Sequence, residues 1–280
     1  MAATACIPRR KSTDTMMLAL FTCAALAATP VQAQHGGPAG HGAPAGHGAP
    51  AAGGAANTAD PQGPFSVRAY GVFRDMARGQ DYQPKVGLGA VKAEGATDAV
   101  GALAGLRGEI TMLDGRFVVS YGGGCAACPP PHEEKATLLA TGKVAHWAAP
   151  IALPEPLNGR ALEDFILGQA AAAGLDTGKP FPLRLQGMLT GVTMHVLKAP
   201  NDKFTGHGSP HPMAEQDEIR AAEIAGDVVG FYAPPPLVGV ITHPGDAFHF
   251  HWVDAAGTRT AHIDAFGMAK GATLTLPKPR

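Results

Sequence analysis

Short apolar runs separated by glycine, proline or Asp-Gly pairs dominate the chain from residue 86 onward. Runs of this length, rich in β-branched and aromatic residues, are typical of β-strands, and the residues between them are typical of turns. The pattern predicts strands over Val86 to Val91, Glu109 to Leu113, Arg116 to Tyr121, Thr137 to Trp147, Leu183 to Leu189, Val192 to Leu197, Asp227 to Tyr232 and Leu237 to Thr242.

Two segments show helical features instead. Asn158 can cap a helix that runs through Leu162 to a stop at Gly174, and an acidic start at Glu215 leads to a second stop at Gly226. Because strands outnumber helices, the sequence predicts an α+β fold with mixed or antiparallel sheets.

The last part of the chain predicts a β-hairpin. Phe248 to Asp254 and Arg259 to Phe266 carry strand-forming residues, and the four residues between them supply a loop. If the turn is centred on Ala256 and Gly257, the two strands have one defined register. Every residue of the first strand then has a predicted partner in the second.

In this register three histidines converge on one face of the hairpin. His251 faces His262 directly, with Cβ atoms expected about 4.5–5.5 Å apart. His249 lies two residues from His251 and therefore on the same face, whereas the aromatic residues of the strand point to the other face. Three imidazoles at this spacing suit a divalent transition metal with open coordination positions, such as Zn²⁺. The alternative is three unrelated core or surface histidines.

The N-terminal region predicts export. Basic residues Arg9 to Lys11 precede the apolar run Met16 to Ala28, and Val31 to Ala33 has the small-residue pattern of a cleavage site. Residues 1–33 are therefore interpreted as a signal peptide of a periplasmic or secreted protein, with no membrane segment after cleavage. A retained signal anchor is the alternative.

Residues 34–63 form an approximate repeat of Gly, Ala, Pro and His with almost no bulky apolar residues, which predicts a flexible linker. The linker histidines can either bind metal weakly or simply be solvated. Residues 64–280 have the composition of one globular domain. The formal net charge of −1 gives no electrostatic reason to expect nucleic acid or an anionic membrane as a partner. A small-molecule substrate is expected, and a homodimer is left open.

Cysteine is sparse. Two of the four cysteines, Cys6 and Cys23, fall in the predicted signal peptide, which leaves Cys125 and Cys128 in a loop rich in Gly and Pro. In an oxidising compartment this pair is expected to form a disulfide. A redox or metal-binding role is the less favoured reading, because no second cysteine pair completes a zinc site.

Several blocks resemble, in the same order, those of the α-acetolactate decarboxylase family. They are Gly108 to Gly115, Gly187 to Val192 and Val229 to Pro234, followed by Gly239, Pro244-Gly245 and the His-x-His…His arrangement. The resemblance spans about residues 86–266. It implies the family's fold and, in a metal-dependent reaction, conversion of 2-acetolactate to acetoin with loss of carbon dioxide.

The resemblance also implies residue roles. The family's three zinc-binding histidines fall on His249, His251 and His262, the trio that the hairpin register selects, and its active-site carboxylate falls on Glu109. Glu109 is therefore the candidate acid, with an exposed carboxylate at a strand end as the alternative. His195 takes the position of the family's active-site arginine and is the second candidate catalytic residue.

Some features depart from the family pattern. A histidine at 195 offers fewer donors to a substrate carboxylate than an arginine. The segment Asp246 to Phe248 is longer than its family counterpart, and the tail after His262 contains no glutamate. In the predicted register Asp264 faces His249, where it could bind the metal or orient an imidazole.

Two functions are consistent with these observations. One is metal-dependent decarboxylation of 2-acetolactate or a related 2-hydroxy-3-oxo acid. The other is binding of a metal or a small chelating ligand by a non-catalytic relative. For His243, and for His207 and His211 in a predicted surface loop, a structural or solvated role is favoured.

Overall fold

The computed structural model describes residues 57–58, 63–206 and 208–279. The predicted signal peptide, most of the predicted linker and His207 lie outside the described residues. Within them the predicted α+β class is confirmed: three short helices accompany two sheets in which every strand pairing is antiparallel. None of the helices in the described part is long and apolar enough to cross a bilayer.

The first sheet comprises the N-terminal strands. They are β1 (Asn57–Thr58), β2 (Phe65–Tyr70), β3 (Val86–Gly87), β4 (Asp98–Leu103), β5 (Gly108–Leu113), β6 (Arg116–Tyr121) and β7 (Lys135–Val144). Their order in the sheet is β1-β2-β7-β4-β5-β6, and β3 pairs with β7. The hairpin of β5 and β6 therefore forms one edge of the sheet.

The second sheet comprises the remaining strands. They are β8 (Ile151–Ala152), β9 (Leu157–Asn158), β10 (Phe181–Pro200), β11 (Ala214–Tyr232), β12 (Phe248–Val253), β13 (Thr260–Met268) and β14 (Thr273–Thr275). Strand β10 pairs with β11, β11 with β12, β12 with β13, and β13 again with β10. These pairings close four strands into a ring, in which the long strand β10 pairs with both β11 and β13.

The helices are short elements at the edges of the sheets. They are α1 (Phe73–Gly79), α2 (Leu88–Ala93) and α3 (Gly159–Ala172), with 3₁₀ turns at 131–133 and 235–237. The helix predicted after Asn158 is confirmed as α3. It buries Leu162, Ile166 and Ala170, which lie on one helical face, in the largest hydrophobic cluster.

The second predicted helix is wrong, because residues 215–226 belong to strand β11. Ala and Glu in this segment favour a helix, but every residue of it except Ala222 has a partner in β10. Gly226, predicted as the helix stop, lies inside the strand. A Cβ atom there would lie 2.2 Å from Nε1 of Trp252, so the close approach of the indole explains this glycine.

Two predicted strands are also wrong. Val86 to Val91 contains only the two residues of β3 before α2 begins, and α2 buries Leu88 and Val91, which are three residues apart as one helical face requires. Leu237 to Thr242 forms the end of a 3₁₀ turn and a further turn, because the preceding prolines cannot donate to a strand ladder. The predicted strands at Leu183 and Val192 are parts of one strand, β10.

The two sheets face each other. Val67, Val100 and Ala140 of the first sheet pack against Val229 and Phe231 of the second in one buried cluster. Strand β5 of the first sheet also contacts β10, β12 and β13 of the second. Side chains from both sheets can therefore meet where β5 crosses the histidine hairpin.

Candidate metal centre

The hairpin formed by β12 and β13 has the predicted register. His251 is the partner of His262, and Val253 is the partner of Thr260. The aromatic residues of β12 point into the largest hydrophobic cluster, as the alternation predicts. The apolar face fixes the strand, and the opposite face presents the histidines to the first sheet.

The three histidines of this hairpin come together at one point. Nε2 of His249 lies 3.1 Å from Nε2 of His251 and 3.2 Å from Nδ1 of His262, and the latter two nitrogens are 3.4 Å apart. Two nitrogens that bind one zinc ion at about 2.0–2.1 Å and a tetrahedral angle lie roughly 3.3–3.4 Å apart. The donor set therefore fits a single divalent metal ion, and we call these residues the histidine trio.

Contacts with groups outside the hairpin orient two rings of the trio. Nδ1 of His249 donates to the carbonyl oxygen of Ile241 at 2.8 Å, which leaves the lone pair on Nε2. Nδ1 of His251 lies 3.1 Å from Oγ1 of Thr111 on strand β5. The sequence did not point to either partner, although Thr111 is on the same strand face as Glu109. Partners of this kind hold the rings of metal ligands in place.

Burial keeps the trio neutral. All three rings are shielded from solvent, and burial, together with the neighbouring imidazoles, lowers the pKa of His249 to about 3. The same causes hold the pKa values of His251 and His262 well below the ordinary value. Neutral imidazoles are the form that binds metal, so the trio is ready to coordinate an ion at neutral pH.

Glu109 lies beside the trio on strand β5 and is only 2% exposed, so the alternative of an exposed strand-end carboxylate is wrong. Its Oε2 atom is 3.7 Å from Nε2 of His251, and its Oε1 atom accepts a long hydrogen bond, 3.4 Å, from the backbone N–H of Leu197. Burial raises the pKa of Glu109 to about 7, against the opposing effects of His195 and that N–H. The carboxyl group can therefore be protonated near neutral pH.

His195 lies beside the trio on strand β10. It is the partner of His262 in the pairing of β10 with β13, so three adjacent strands place His251, His262 and His195 in a row. Nε2 of His195 is 3.9 Å from Oε1 of Glu109. The two candidate catalytic residues therefore come from different sheets and meet at the trio.

Asp264 contacts His195 rather than His249. Strand β13 leaves β12 after His262 and continues along β10, so the predicted pairing of Asp264 with His249 does not form. Both carboxylate oxygens of Asp264 lie 2.9 Å from Nδ1 of His195. Burial alone would lower the pKa of His195, but the hydrogen bond to Asp264 and the charge of Glu109 raise it.

A cavity of about 280 Å³ opens beside these groups. Glu109, His195, Asp264 and two members of the trio, His249 and His262, line one part of it. His243 also lines it and stacks on His262 with ring centroids 4.8 Å apart, and burial lowers the pKa of His243. The remaining lining is mainly apolar. The arrangement can hold a small molecule against a metal ion and a protonated carboxyl group.

Other predicted features lie elsewhere. Cys125 and Cys128 form a disulfide in the exposed loop between β6 and β7, as predicted. His211 is exposed in the loop between β10 and β11, which agrees with its predicted surface position.

Comparisons with known proteins agree with this architecture. The family model for alpha-acetolactate decarboxylase matches residues 69–276. The structure of alpha-acetolactate decarboxylase from Bacillus subtilis strain 168 is similar, with a TM-score of 0.60 and 14% sequence identity over 76% of this chain and 85% of that chain. The acetolactate decarboxylase of Bacillus subtilis subspecies spizizenii gives a TM-score of 0.61, 14% identity and the same coverage.

A Staphylococcus aureus protein of unknown function, described as similar to alpha-acetolactate decarboxylase, has a TM-score of 0.54 and 17% identity over 74% of this chain and 83% of that chain. A comparison with curated proteins gives no match. The structural likenesses, at such low identity, establish the fold. The family model spans most of the chain.

Proposed function

We propose, because this chain belongs to the α-acetolactate decarboxylase family, that its cavity supports metal-dependent decarboxylation of 2-acetolactate or a related 2-hydroxy-3-oxo acid to acetoin or its analogue. The observation that carries the proposal is a trio of buried, neutral histidines beside a buried carboxyl group. Nε2 of His251 lies 3.7 Å from Glu109, and the trio nitrogens are 3.1–3.4 Å apart.

The histidine trio would hold the metal ion, most simply Zn²⁺. A divalent ion there supplies a Lewis acid that stabilises negative charge developing on the substrate oxygens. Thr111 and the carbonyl of Ile241 keep the rings of His251 and His249 turned toward this position. The apolar surroundings exclude water, which strengthens the electrostatic interactions in the site.

Glu109 would move the proton. As the bond to the substrate carboxylate breaks, carbon dioxide leaves and the electron pair stays on the substrate. The substrate carbon that loses the carboxylate then takes up a proton. The carboxyl group of Glu109, whose pKa is raised to about 7 by burial, can supply this proton. The raised pKa matches this task, because a carboxyl group with an ordinary pKa would be ionised at neutral pH.

His195 would contact the substrate carboxylate. Its Nδ1 atom donates to Asp264. This hydrogen bond raises the pKa of His195 and persists when Glu109 is protonated, so it favours the imidazolium form, which has a second N–H on Nε2 on the side of Glu109. One donor on an imidazolium is a weaker clamp than the two parallel donors of a guanidinium. We therefore expect weak binding of the substrate carboxylate and a high KM.

A second candidate function follows from the same feature. No lysine or arginine is among the described residues that line the cavity, so the substrate carboxylate would depend on an imidazolium, a weaker clamp than the arginine that the family resemblance implies. This favours, as the alternative, an exported relative that binds a metal or a small chelating ligand without catalysis. Retention of one metal ion per chain without acetoin formation would support the alternative.

The test is acetoin formation from racemic 2-acetolactate by the zinc-loaded protein, purified without a histidine tag. We expect about one zinc per chain by elemental analysis and acetoin formation well above that of free zinc at the same concentration. His251→Gln should lose both the metal and the activity. His146→Gln, at an exposed position outside the site, should keep both. A rate equal to that of free zinc would contradict the decarboxylase proposal.

A further inference from the structure

The cavity beside the trio has one continuous apolar wall. Its main members are Phe73, Met76, Leu106, Leu138, Leu197 and Met213. All of them belong to a single hydrophobic cluster that is separate from the clusters of the sheet interface and of the second sheet. The wall is thus an apolar surface in its own right, assembled from α1, β7, β10 and the segments before β5 and β11.

A second wall of the cavity is polar. It contains the imidazoles of His195, His243, His249 and His262 and the carboxyl groups of Glu109 and Asp264. In the proposed decarboxylation the acid and the carboxylate-binding histidine belong to this polar wall, whereas the apolar wall excludes water and provides no reacting group. The apolar wall therefore remains available to contact a part of the substrate that does not react.

The cavity is also larger than 2-acetolactate requires. Its volume of about 280 Å³ is close to the lower end of the pockets that hold drug-sized ligands, which is about 300 Å³. A molecule as small as 2-acetolactate, with its oxygens at the trio, would leave much of the apolar wall uncovered. A ligand that covers apolar surface gains transfer free energy and packing contacts. A ligand that leaves this surface uncovered gains neither.

We propose that the substrate carries an apolar substituent larger than the methyl groups of 2-acetolactate, and that this substituent packs against the apolar wall while the adjacent oxygens of the substrate face the trio. The inference rests on the proposed function for the position of the oxygens. The two methionines of the wall, Met76 and Met213, suit this role because their unbranched side chains adapt to ligands of different shape.

Binding of a homologous series tests the proposal without turnover. Unreactive 2-hydroxy acids with unbranched side chains of increasing length would be titrated calorimetrically into the zinc-loaded protein. Because every member binds the metal through the same two groups, differences between members report the apolar contact alone. We expect Kd to fall about fourfold per methylene until the cavity is full. A Kd that is independent of chain length would overturn the proposal.

Substitutions in the wall provide the matched comparison. Ala214→Leu places a larger side chain in the cavity, so the fall in Kd per methylene should disappear. Ala222→Leu, at an exposed position of the same strand, should keep this fall. Met213→Ala enlarges the cavity, so the ligand chain length that gives the lowest Kd should increase. An unchanged optimum in Met213→Ala would count against the wall as the binding surface, even if Ala214→Leu fails to fold.

A turnover series separates this inference from the proposed function. If 2-acetolactate is decarboxylated but binding does not depend on chain length, the inference fails and the function stands. If no 2-hydroxy-3-oxo acid is decarboxylated but Kd falls along the series, the function fails and the apolar wall stands. If both hold, kcat/KM should rise with the size of the substituent.

Discussion

The carboxylate of Asp264 sets the state of the imidazole of His195. With both oxygens 2.9 Å from Nδ1, the carboxylate fixes the ring and favours its protonated form. The family resemblance implies an arginine at the position of His195, and a guanidinium needs no partner to remain charged. In the proposed function, the pair of His195 and Asp264 would therefore provide a cation for the substrate carboxylate, over a limited pH range only.

Asp264→Asn should lower kcat/KM by about 10–100-fold, the range for residues that hold another functional group in place. Loss of the carboxylate lowers the pKa of His195, so the alkaline limb of the pH–rate profile should move to lower pH. The measurement is kcat/KM for 2-acetolactate between pH 5 and 9, roughly the interval in which histidine titrates. Asp164→Asn, at an exposed position on α3, is the control. A reduced rate with an unmoved profile would show that Asp264 acts only through local structure.

Glu109→Gln should lower the rate of acetoin formation by about 10²–10⁴-fold, because the amide cannot donate a proton to carbon. The metal content should remain that of the wild type, since the trio and its orienting partners are unchanged. Rates and zinc content measured on the same sample distinguish loss of the acid from loss of the metal. Full activity in Glu109→Gln would remove this residue from the mechanism.

The turn of the histidine hairpin depends on Asp254. Its carboxylate accepts hydrogen bonds from the backbone N–H of Thr258 at 2.7 Å and of Arg259 at 3.0 Å. Partial burial would raise the pKa of Asp254, but these hydrogen bonds lower it to about 2. The stabilisation is therefore complete above the ordinary pKa of aspartate and is lost only as the pH falls through about 2.

Asp254→Ala should destabilise the fold by about 1–3 kcal/mol, because it leaves turn N–H groups without their acceptor. The loss should be the same at pH 5 and pH 7, since Asp254 is ionised at both. Urea unfolding at the two pH values measures it, with Asp164→Ala as the exposed control. Because the turn fixes the distance between His251 and His262, zinc affinity should also fall. An unchanged unfolding midpoint would contradict this role of the turn.

Elements whose pattern is local were predictable, whereas those that depend on distant partners were not. The hairpin register follows from alternation and turn residues, so the approach of His251 and His262 was predictable from the sequence. Residues 215–226 have helical composition, and only their pairing with β10 makes them a strand. Predictions from local preference fail where a tertiary partner decides the conformation.

The same distinction applies to the candidate site. The trio lies within one hairpin, and Glu109 was reached only through the family resemblance. Thr111 and the carbonyl of Ile241 contact the trio across the sheets or from an irregular segment. No spacing rule connects such residues in sequence, because their meeting depends on how the two sheets are placed.

Arg184 connects the two sheets on which the site depends. It lies on β10 of the second sheet, and its Nε atom donates to Oδ1 of Asp98 on β4 of the first sheet at 2.7 Å. Asp98 is fully buried, and the guanidinium also lies over the ring of Trp147, 4.4 Å from its centroid. The distance between Glu109 on the first sheet and the trio on the second therefore depends on contacts of this kind.

Arg184→Met should destabilise the protein by about 3–5 kcal/mol at neutral pH, because it leaves the carboxylate of Asp98 buried without its partner. Arg160→Met provides the control: Arg160 forms an exposed pair with Asp164 on α3, and its loss should change stability by at most about 0.5 kcal/mol. Equal effects of the two substitutions would mean that the connection between the sheets contributes no more than a surface pair.

The pH dependence of the destabilisation by Arg184→Met tests whether the buried charge of Asp98 causes it. Burial raises the pKa of Asp98 even though Arg184 opposes the shift, and removal of Arg184 raises it further. A carboxyl group with a raised pKa binds protons more readily in the folded state than in the unfolded state, so acid relieves the cost of burying its charge. The loss of unfolding free energy in Arg184→Met, measured by urea unfolding, should therefore be largest at pH 7.5 and become smaller as the pH falls toward 5. A deficit of the same size at both pH values would mean that lost packing on Trp147, rather than the buried charge, is responsible.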